Sequence, residues 1–457
     1  MPPEVLTSCA TFVSDTDPRP IITLTHVCRY WRRSINSNPR FWASIATGWK
    51  RLGPLCLERA GVVPLAVDIT VSDIKSGEDF LESLIPQTSR IGRLRLTGYS
   101  TIETVAVDLP GFLVSSMPNL TSLELQQTTE PAELFPSREA PVPSIFQNVA
   151  KLESLCLART PLYPAVLSAT SLRELKLLGY ANTFHFGTFL GLLDANPGLE
   201  RVVLDIQFIT GSVKIEPARK VVLPRLQVLS ITCSKPIDSK GLLSCIPPTR
   251  GARVEVIASQ LDQSAKFSSY LPSPPTHIRE LLDPITTIKT QATPRELHLF
   301  GNDSMFAFRS PQALLEPHLE LLIFPSTSVR ELYTNPDPFQ YSNDGLHQTL
   351  ELLPALETLA FSKTRFPFGL LPALTEEPVL CPTLKTIAFL DCGVDSGIAE
   401  MLGEAIAKRR DSTAARLYRV VIVNSAGKLP DLKSIQQIRR SVPRVEAIVD
   451  DELPDLS

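Results

Sequence analysis

The chain has 457 residues, 43% of them hydrophobic and 20% charged, with 45 Lys and Arg set against 48 Asp and Glu for a formal net charge of −3. That balance excludes a basic polyanion-binding protein, because a near-neutral surface has no sequence-independent attraction for nucleic acid. The length is ample for a large core and excludes a single ordinary compact domain, so the choice lies between several domains and a repeat array.

All three tryptophans fall before residue 50, in or just after the stretch Ile21 to Ile45. Thr25 is placed to cap a helix whose apolar positions Val27, Cys28, Trp31 and Ile35 fall on one face, with Arg29, Arg32 and Arg33 opposite. The helix is expected to stop at Asn38-Pro39, since the residue before a proline is pushed out of the helical region; Phe41 and Trp42 then form a second bulky anchor. Val27-Cys28-Arg29-Tyr30-Trp31-Arg32 followed by Pro39-Arg40-Phe41-Trp42 resembles the second half of an F-box. Met1-Pro2-Pro3-Glu4-Val5-Leu6 resembles the opening of that motif, with Phe12 and Val13 continuing its first helix. The resemblance covers residues 1–48 and implies a small all-α unit. It further implies that Pro2, Leu6, Leu24, Val27, Cys28, Trp31, Phe41 and Trp42 dock a Skp-type adaptor, partly while packing on one another.

Residues 49–90 read as a linker and capping region. From residue 91 a Leu-x-x-Leu-x-Leu pattern returns at Leu120/Leu123/Leu125, Leu152/Leu155/Leu157, Leu172/Leu175/Leu177, Leu199/Val202/Leu204 and Leu226/Leu229/Ile231, then at Leu356/Leu359/Phe361 and Leu384/Ile387/Phe389. Degenerate copies are read at Ile91/Leu94/Leu96, Val254/Ile257, Leu297/Leu299, Val329/Leu332 and Leu417/Val420/Ile422. A recurrence of roughly 20–30 residues resembles a leucine-rich repeat. Alternate apolar residues of each short strand point inward, and stacking buries what one unit alone cannot. Phe184 to Leu193 and Gly397 to Ile406 have the spacing of returning helices. Three residues beyond the last strand leucine the repeat family carries Asn or Cys. Only Cys392 and Asn302 match, while Thr128, Thr160, Tyr180, Ser234 and Thr364 stand elsewhere, so irregular turns are expected. Forty prolines point the same way.

Two stretches break the period, Thr128 to Val142 and a longer one near 263–294, and both read as loops. Residues 451–457 read as a fraying acidic tail.

No Gly-x-x-x-x-Gly-Lys-Ser/Thr, Gly-x-Ser-x-Gly, His-Glu-x-x-His or Gly-x-Gly-x-x-Gly stands in the chain, and the six histidines are scattered singly. The eight cysteines form neither a Cys-x-x-Cys pair nor a cluster with histidine, which suits buried reduced thiols better than zinc or a disulfide framework. No apolar run approaches the roughly 20 residues of a membrane helix. The expectation is therefore a non-catalytic protein with no metal, cofactor, nucleic acid or membrane partner, in the cytoplasm or nucleus.

On the solenoid reading, residues beside the inward leucines form the concave face. Its N-terminal part is polar, with Glu124, Gln126, Glu174 and Lys176; its C-terminal part offers Glu296, His298, Phe300, Glu331, Tyr333, Ala360, Ala388, Leu390, Val421 and Val423. An exposed apolar patch there suits a protein partner, which makes His298, Phe300, Glu331, Tyr333, Leu390 and Val421 candidate substrate-binding residues. A register shifted by one would bury them instead.

The whole chain thus reads as an α/β protein, a small N-terminal F-box followed by an irregular leucine-rich-repeat solenoid over 91–450, with parallel strands inside and helices and loops outside. It resembles F-box leucine-rich-repeat proteins of the expanded fungal type. The resemblance implies a substrate-recognition subunit of an SCF-type ubiquitin ligase, monomeric within its complex, reaching cullin, RING subunit and ubiquitin-conjugating enzyme through the adaptor. A repeat scaffold whose F-box no longer enters a ligase stays open, as does an enzyme on an α/β scaffold.

Overall fold

The computed structural model describes residues 19–47, 52–71, 78–99, 112–113, 115–128, 149–160, 169–180, 186–206, 220–233, 236–258, 270–271, 280–281, 285–292, 295–301, 304–310, 328–335, 343–363, 365–375, 379–412, 416–424 and 429–448. The chain divides into two compact units, Met1–Glu216 with Val221–Leu226, and Pro217–Lys220 with Gln227–Ser457. Where strands touch only their neighbours, nothing in the periodic pattern marks such a division.

The first unit opens with α1 (Arg19–Thr25) and α2 (Arg29–Asn36), and a 3-10 turn (Pro39–Trp42) leads into β1 (Ser44–Ala46). The expected cap at Thr25 is corrected. Thr25 closes α1, its hydroxyl donating to the Ile22 carbonyl at 2.6 Å. The amides of His26 and Val27 then bond three residues back, to Thr23 and Leu24, which tightens the turn and ends the helix. Cys28 caps α2 instead, its sulfur accepting from the Trp31 amide at 3.4 Å.

After α3 (Gly53–Ala60) come β2 (Leu65–Thr70), α4 (Glu78–Leu84), β3 (Ile91–Tyr99), β4 (Ser122–Gln127), β5 (Ser154–Ala158), β6 (Glu174–Tyr180), α5 (Phe186–Asp194) and β7 (Arg201–Ile206). Strands β1 to β7 lie side by side in chain order, all parallel. The sheet therefore starts at Ser44, inside the segment assigned to the helical unit, and the supposed linker contributes β2.

The leucine pattern dictates the core. Leu94, Leu123, Leu155, Leu175 and Val202 form one cross-strand row, Leu96, Leu125, Leu157, Leu177 and Leu204 the next, and all ten are fully buried. The preceding leucines, Leu120, Leu152, Leu172 and Leu199, are buried with them. At about 1.5–3 kcal/mol for each buried leucine, three per strand dominate the stability of the stack.

The second unit contains β8 (Val228–Cys233), α6 (Pro236–Cys245), β9 (Arg253–Ala258), β10 (Thr287–Ala292), β11 (Arg295–Gly301), β12 (Ser304–Ser310), β13 (Glu331–Asn335), α7 (Asn343–Glu351), β14 (Thr358–Ser362), α8 (Leu370–Thr375), β15 (Thr386–Leu390), α9 (Ser396–Ser412), β16 (Arg419–Val423), α10 (Leu432–Arg439) and β17 (Arg444–Ile448). Its strand order is β8-β9-β12-β11-β10-β13-β14-β15-β16-β17. Every described pair is parallel except those of β11, which runs antiparallel to both β10 and β12. Two expectations are corrected here. The loop near 263–294 contains β10, and Leu297/Leu299 is no further copy of the parallel repeat. Only two residues separate β10 from β11 and two separate β11 from β12, far short of the dozen or so that a parallel crossover needs, so the chain must reverse. In β9 the inward pair is Val254 and Val256, and Ile257 faces the other way.

Two of the turns, at Thr160 and Cys392, are alike, while the register of β6 on β7 shifts between Leu177 and Tyr180, an irregularity of the expected kind. Thr160 donates its hydroxyl toward the Leu125 carbonyl at 3.3 Å and the Ala158 carbonyl at 3.1 Å. The Cys392 thiol does the same to Phe361 at 3.4 Å and Leu390 at 3.5 Å. Just before them, Arg159 and Asp391 hold the left-handed conformation at φ 56° and 57°, as does Lys363 at 51°. Each sends its amide to the next strand, to Leu178, Val423 and Leu390 respectively. A hydroxyl thus replaces the expected Asn or Cys without loss of the bond. Asn302, Ser234 and Thr364, most of the Thr128–Val142 loop, and the acidic tail lie outside the described residues.

Candidate functional site

Two surfaces follow from this architecture, one in each unit. In the N-terminal helices the candidate docking residues separate into two groups. Val27 is 58% exposed and Tyr30 44%, and Cys28 is exposed beside them in the turn between α1 and α2. Leu24 and Trp31 are half-buried. Phe41 and Trp42, by contrast, are buried, Trp42 to 3%, so their assignment as adaptor contacts is corrected. The indole of Trp42 donates to the Ile35 carbonyl at 3.2 Å, and the Arg59 guanidinium lies 4.3 Å above its ring while also donating to Asn36 at 2.9 Å. These aromatics fasten the helices to the start of the sheet. Arg29, Arg32 and Arg33 on α2 and Arg40 in the 3-10 turn are exposed, and Arg32 ties α2 to α1 by donating to the Thr25 carbonyl at 2.9 Å. Pro2 and Leu6 lie outside the described residues.

Opposite the leucine core, the first unit carries a ladder of opposite charges, in which the buried Oδ1 of Asp68 has no hydrogen-bond partner among the described residues. Asp68, Arg95 and Glu124 stand in register on β2, β3 and β4, with Arg95 3.6 Å from Asp68 and 3.1 Å from Glu124. Burial raises the Asp68 carboxyl above its ordinary range, Arg95 opposing. Glu174 accepts from Ser154 at 3.0 Å and pairs with Lys176 at 2.8 Å and Arg201 at 3.7 Å. Burial disfavours its ionised form, but those bonds and charges outweigh it and hold the carboxyl low. Cys156, between Glu124 and Lys176, is pushed up to about 11 by burial, so it stays a thiol. Burial likewise pushes Cys381 to about 12.

In the second unit the same face carries an unbroken cross-strand row, Ser230, Glu255, Ala307, His298, Lys289, Tyr333, Ala360, Ala388, Val421 and Glu446. The register therefore does gather His298, Phe300, Glu331 and Tyr333. The Lys289 ammonium sits between them, 5.4 Å from the centre of the Phe300 ring and 5.1 Å from that of Tyr333, and His298 stacks on Phe300 at 6.2 Å. Lys289 is exposed, whereas His298, Phe300, Glu331 and Tyr333 are half-buried. Glu331 accepts from Thr287 at 3.1 Å, and burial first, then the adjacent Glu331, raises the Tyr333 phenol. Lys289, and Arg253 and Met305 farther along the same face, were not candidates from the sequence. Thr287 to Ala292 does alternate, but prolines at 284 and 294 gave it the look of a loop.

Leu390 and Val421, expected to be exposed, are buried, Val421 to 1%, in a cluster with Ala360, Ala388 and Val423 against which Tyr333 and Ile448 pack. Their parity was read correctly and their exposure was not. They are corrected from contact surface to a second apolar core.

Among the described residues no helix is long and apolar enough to cross a membrane, and no group of three or more His, Cys, Asp or Glu is placed to hold a metal ion. No protein-family model matches the chain, and no curated protein matches it.

Proposed function

We propose that the chain is a non-catalytic recognition subunit of an SCF-type ubiquitin ligase: an N-terminal F-box docks a Skp-type adaptor, and an irregular leucine-rich-repeat array holds the protein to be ubiquitinated. Cullin, RING subunit and ubiquitin-conjugating enzyme supply the chemistry, in the cytoplasm or nucleus. The observation that carries the reading is the division of labour in the small helical unit. Two of its aromatics, Phe41 and Trp42, are spent inside, yet Val27 and Tyr30 remain in solvent beside the exposed Arg29, Arg32 and Arg33. Exposed apolar side chains bordered by charge on a unit fastened to a repeat array are the expected form of a docking module. The recurrent parallel strands with their inward apolar rows, and the turn bonds of Thr160 and Cys392 to the preceding strand, support the second half of the reading.

Copurification with a Skp-type adaptor tests it, comparing wild type, Val27→Asp and a deletion of residues 1–48. Binding by wild type that both changes abolish supports the ligase assignment. A wild-type chain that leaves the adaptor in the flow-through refutes it and leaves a repeat scaffold.

A further inference from the structure

We propose that the β9–β13 face of the second unit binds an acidic segment of a protein partner, in extended form, with carboxylates reaching Arg253 and Lys289 and apolar side chains between them on Met305 and Phe300. Among the described residues, Arg253 and Lys289 are exposed cations of this face without a carboxylate partner. The carboxylates nearby whose side chains are described are already engaged. Glu255 accepts from Ser230 at 3.4 Å and pairs with Arg309 at 3.8 Å, and Glu331 accepts from Thr287. Among the described residues an incoming acid therefore meets two cations that no carboxylate neutralises, which is the complementarity that selects partners.

Geometry narrows the occupant. Arg253, Met305, Phe300 and Thr287 stand in one register row across β9, β12, β11 and β10, and Lys289 follows Thr287 by two residues on the same side of β10. Three strand spacings of about 4.8 Å and the two-residue offset along β10 separate the two cations by roughly 16 Å, the length of about four to five residues of extended chain. The partner segment thus carries two acids about four to five positions apart with aliphatic or aromatic residues between. The aromatic rings hold the Lys289 ammonium in place before a partner arrives, which lowers the ordering cost of binding. The cations stand singly, and Lys289 is a point charge on an aromatic platform. Donors this far apart suit separate carboxylates of single charge, whereas a phosphate draws on clustered donors.

The inference deepens the proposed recognition role and rests on it only for the identity of the surface; adaptor copurification reports on the N-terminal helices and so fails or succeeds separately. Its test is selection of a displayed random peptide library on the purified full chain. Enriched peptides with acids about four to five positions apart, bound at least about tenfold more weakly by Lys289→Glu and Arg253→Glu and equally well by Val27→Asp, carry the proposal. Lys289→Gln, which removes the charge and keeps a polar side chain only one atom shorter, gives the same loss if Lys289→Glu fails to fold. Peptides without acids, peptides indifferent to both cations, or no enrichment overturn it. Synthetic peptides bound only after phosphorylation overturn it in favour of a phosphate ligand.

Discussion

Trp42 donates its indole N–H to the carbonyl of Ile35, at 3.2 Å, so the largest side chain of the 3-10 turn closes the open end of α2. Ile35 is itself fully buried, and the Arg59 guanidinium covers the far face of the ring. Trp42→Ala is expected to cost about 3–5 kcal/mol, the range for truncating a buried aromatic. Val27→Asp is expected to change stability by less than about 0.5 kcal/mol because Val27 lies in solvent. Urea unfolding of both variants checks the contrast. Equal destabilisation by the two would show that Val27 is also part of the core.

Thr160 holds three polar partners in a site with no solvent exposure: the carbonyls of Leu125 and Ala158, and the Tyr99 hydroxyl at 2.8 Å. Thr160→Val keeps the volume and removes every bond, leaving buried acceptors unpaired at a cost of about 1–3 kcal/mol. Cys392→Thr, which puts a hydroxyl where a thiol makes the same two bonds, is expected to cost less than about 1 kcal/mol. The melting temperatures of the two variants decide it, and a Thr160→Val protein as stable as wild type would leave the turn hydroxyl without a role.

These two turns also show where sequence reading succeeds and where it stops. The inward leucines were legible because a period of two on a strand leaves no choice of face, and Leu123, Leu155 and Leu175 are where the pattern puts them. The equivalence of Thr160 and Cys392 was not legible, since side chains of different type make one bond. Parity likewise placed Tyr333 and Val421 on the same face, but whether that face is open depends on packing that no local pattern records. Phe41 and Trp42 announced their importance by size alone, which does not distinguish a core anchor from a contact. β10 was missed because its neighbours in space are β11 and β13, and its pairing is invisible to a window bounded by two prolines.

Lys363, at φ 51°, occupies a conformation that favours glycine. A left-handed residue other than glycine costs about 1–2 kcal/mol, and glycine gives back about 0.5–1 through its greater freedom when unfolded. Lys363→Gly is therefore expected to be stabilising by up to about 1 kcal/mol, and Lys363→Val, whose branched Cβ crowds the turn, destabilising by more than about 1 kcal/mol. Equilibrium denaturation of the pair checks the ordering; the reverse order would mean that the amide bond from Lys363 to Leu390 forces some other geometry on the turn.

Glu446, at the last strand, provides the acid-sensitive contact. A hydrogen bond from Arg419 at 2.7 Å is the main cause holding its carboxyl below the ordinary range; burial opposes, and the charges of Arg419 and Arg444 add to the lowering. A carboxylate with a depressed folded pKa contributes stability that is present above the unfolded value of about 4.3 and is lost as pH falls through the folded value. Both guanidinium groups stay charged throughout. Glu446→Gln cannot ionise, so it should be less stable than wild type at pH 7, by no more than about 1 kcal/mol for a partly exposed pair, and the gap should close as pH drops well below 4.3. Unfolding free energies of the two proteins across that range test the linkage. A gap that keeps its size into strong acid would assign the effect to packing rather than to charge, because only the ionised form of Glu446 holds Arg419 and Arg444 in place.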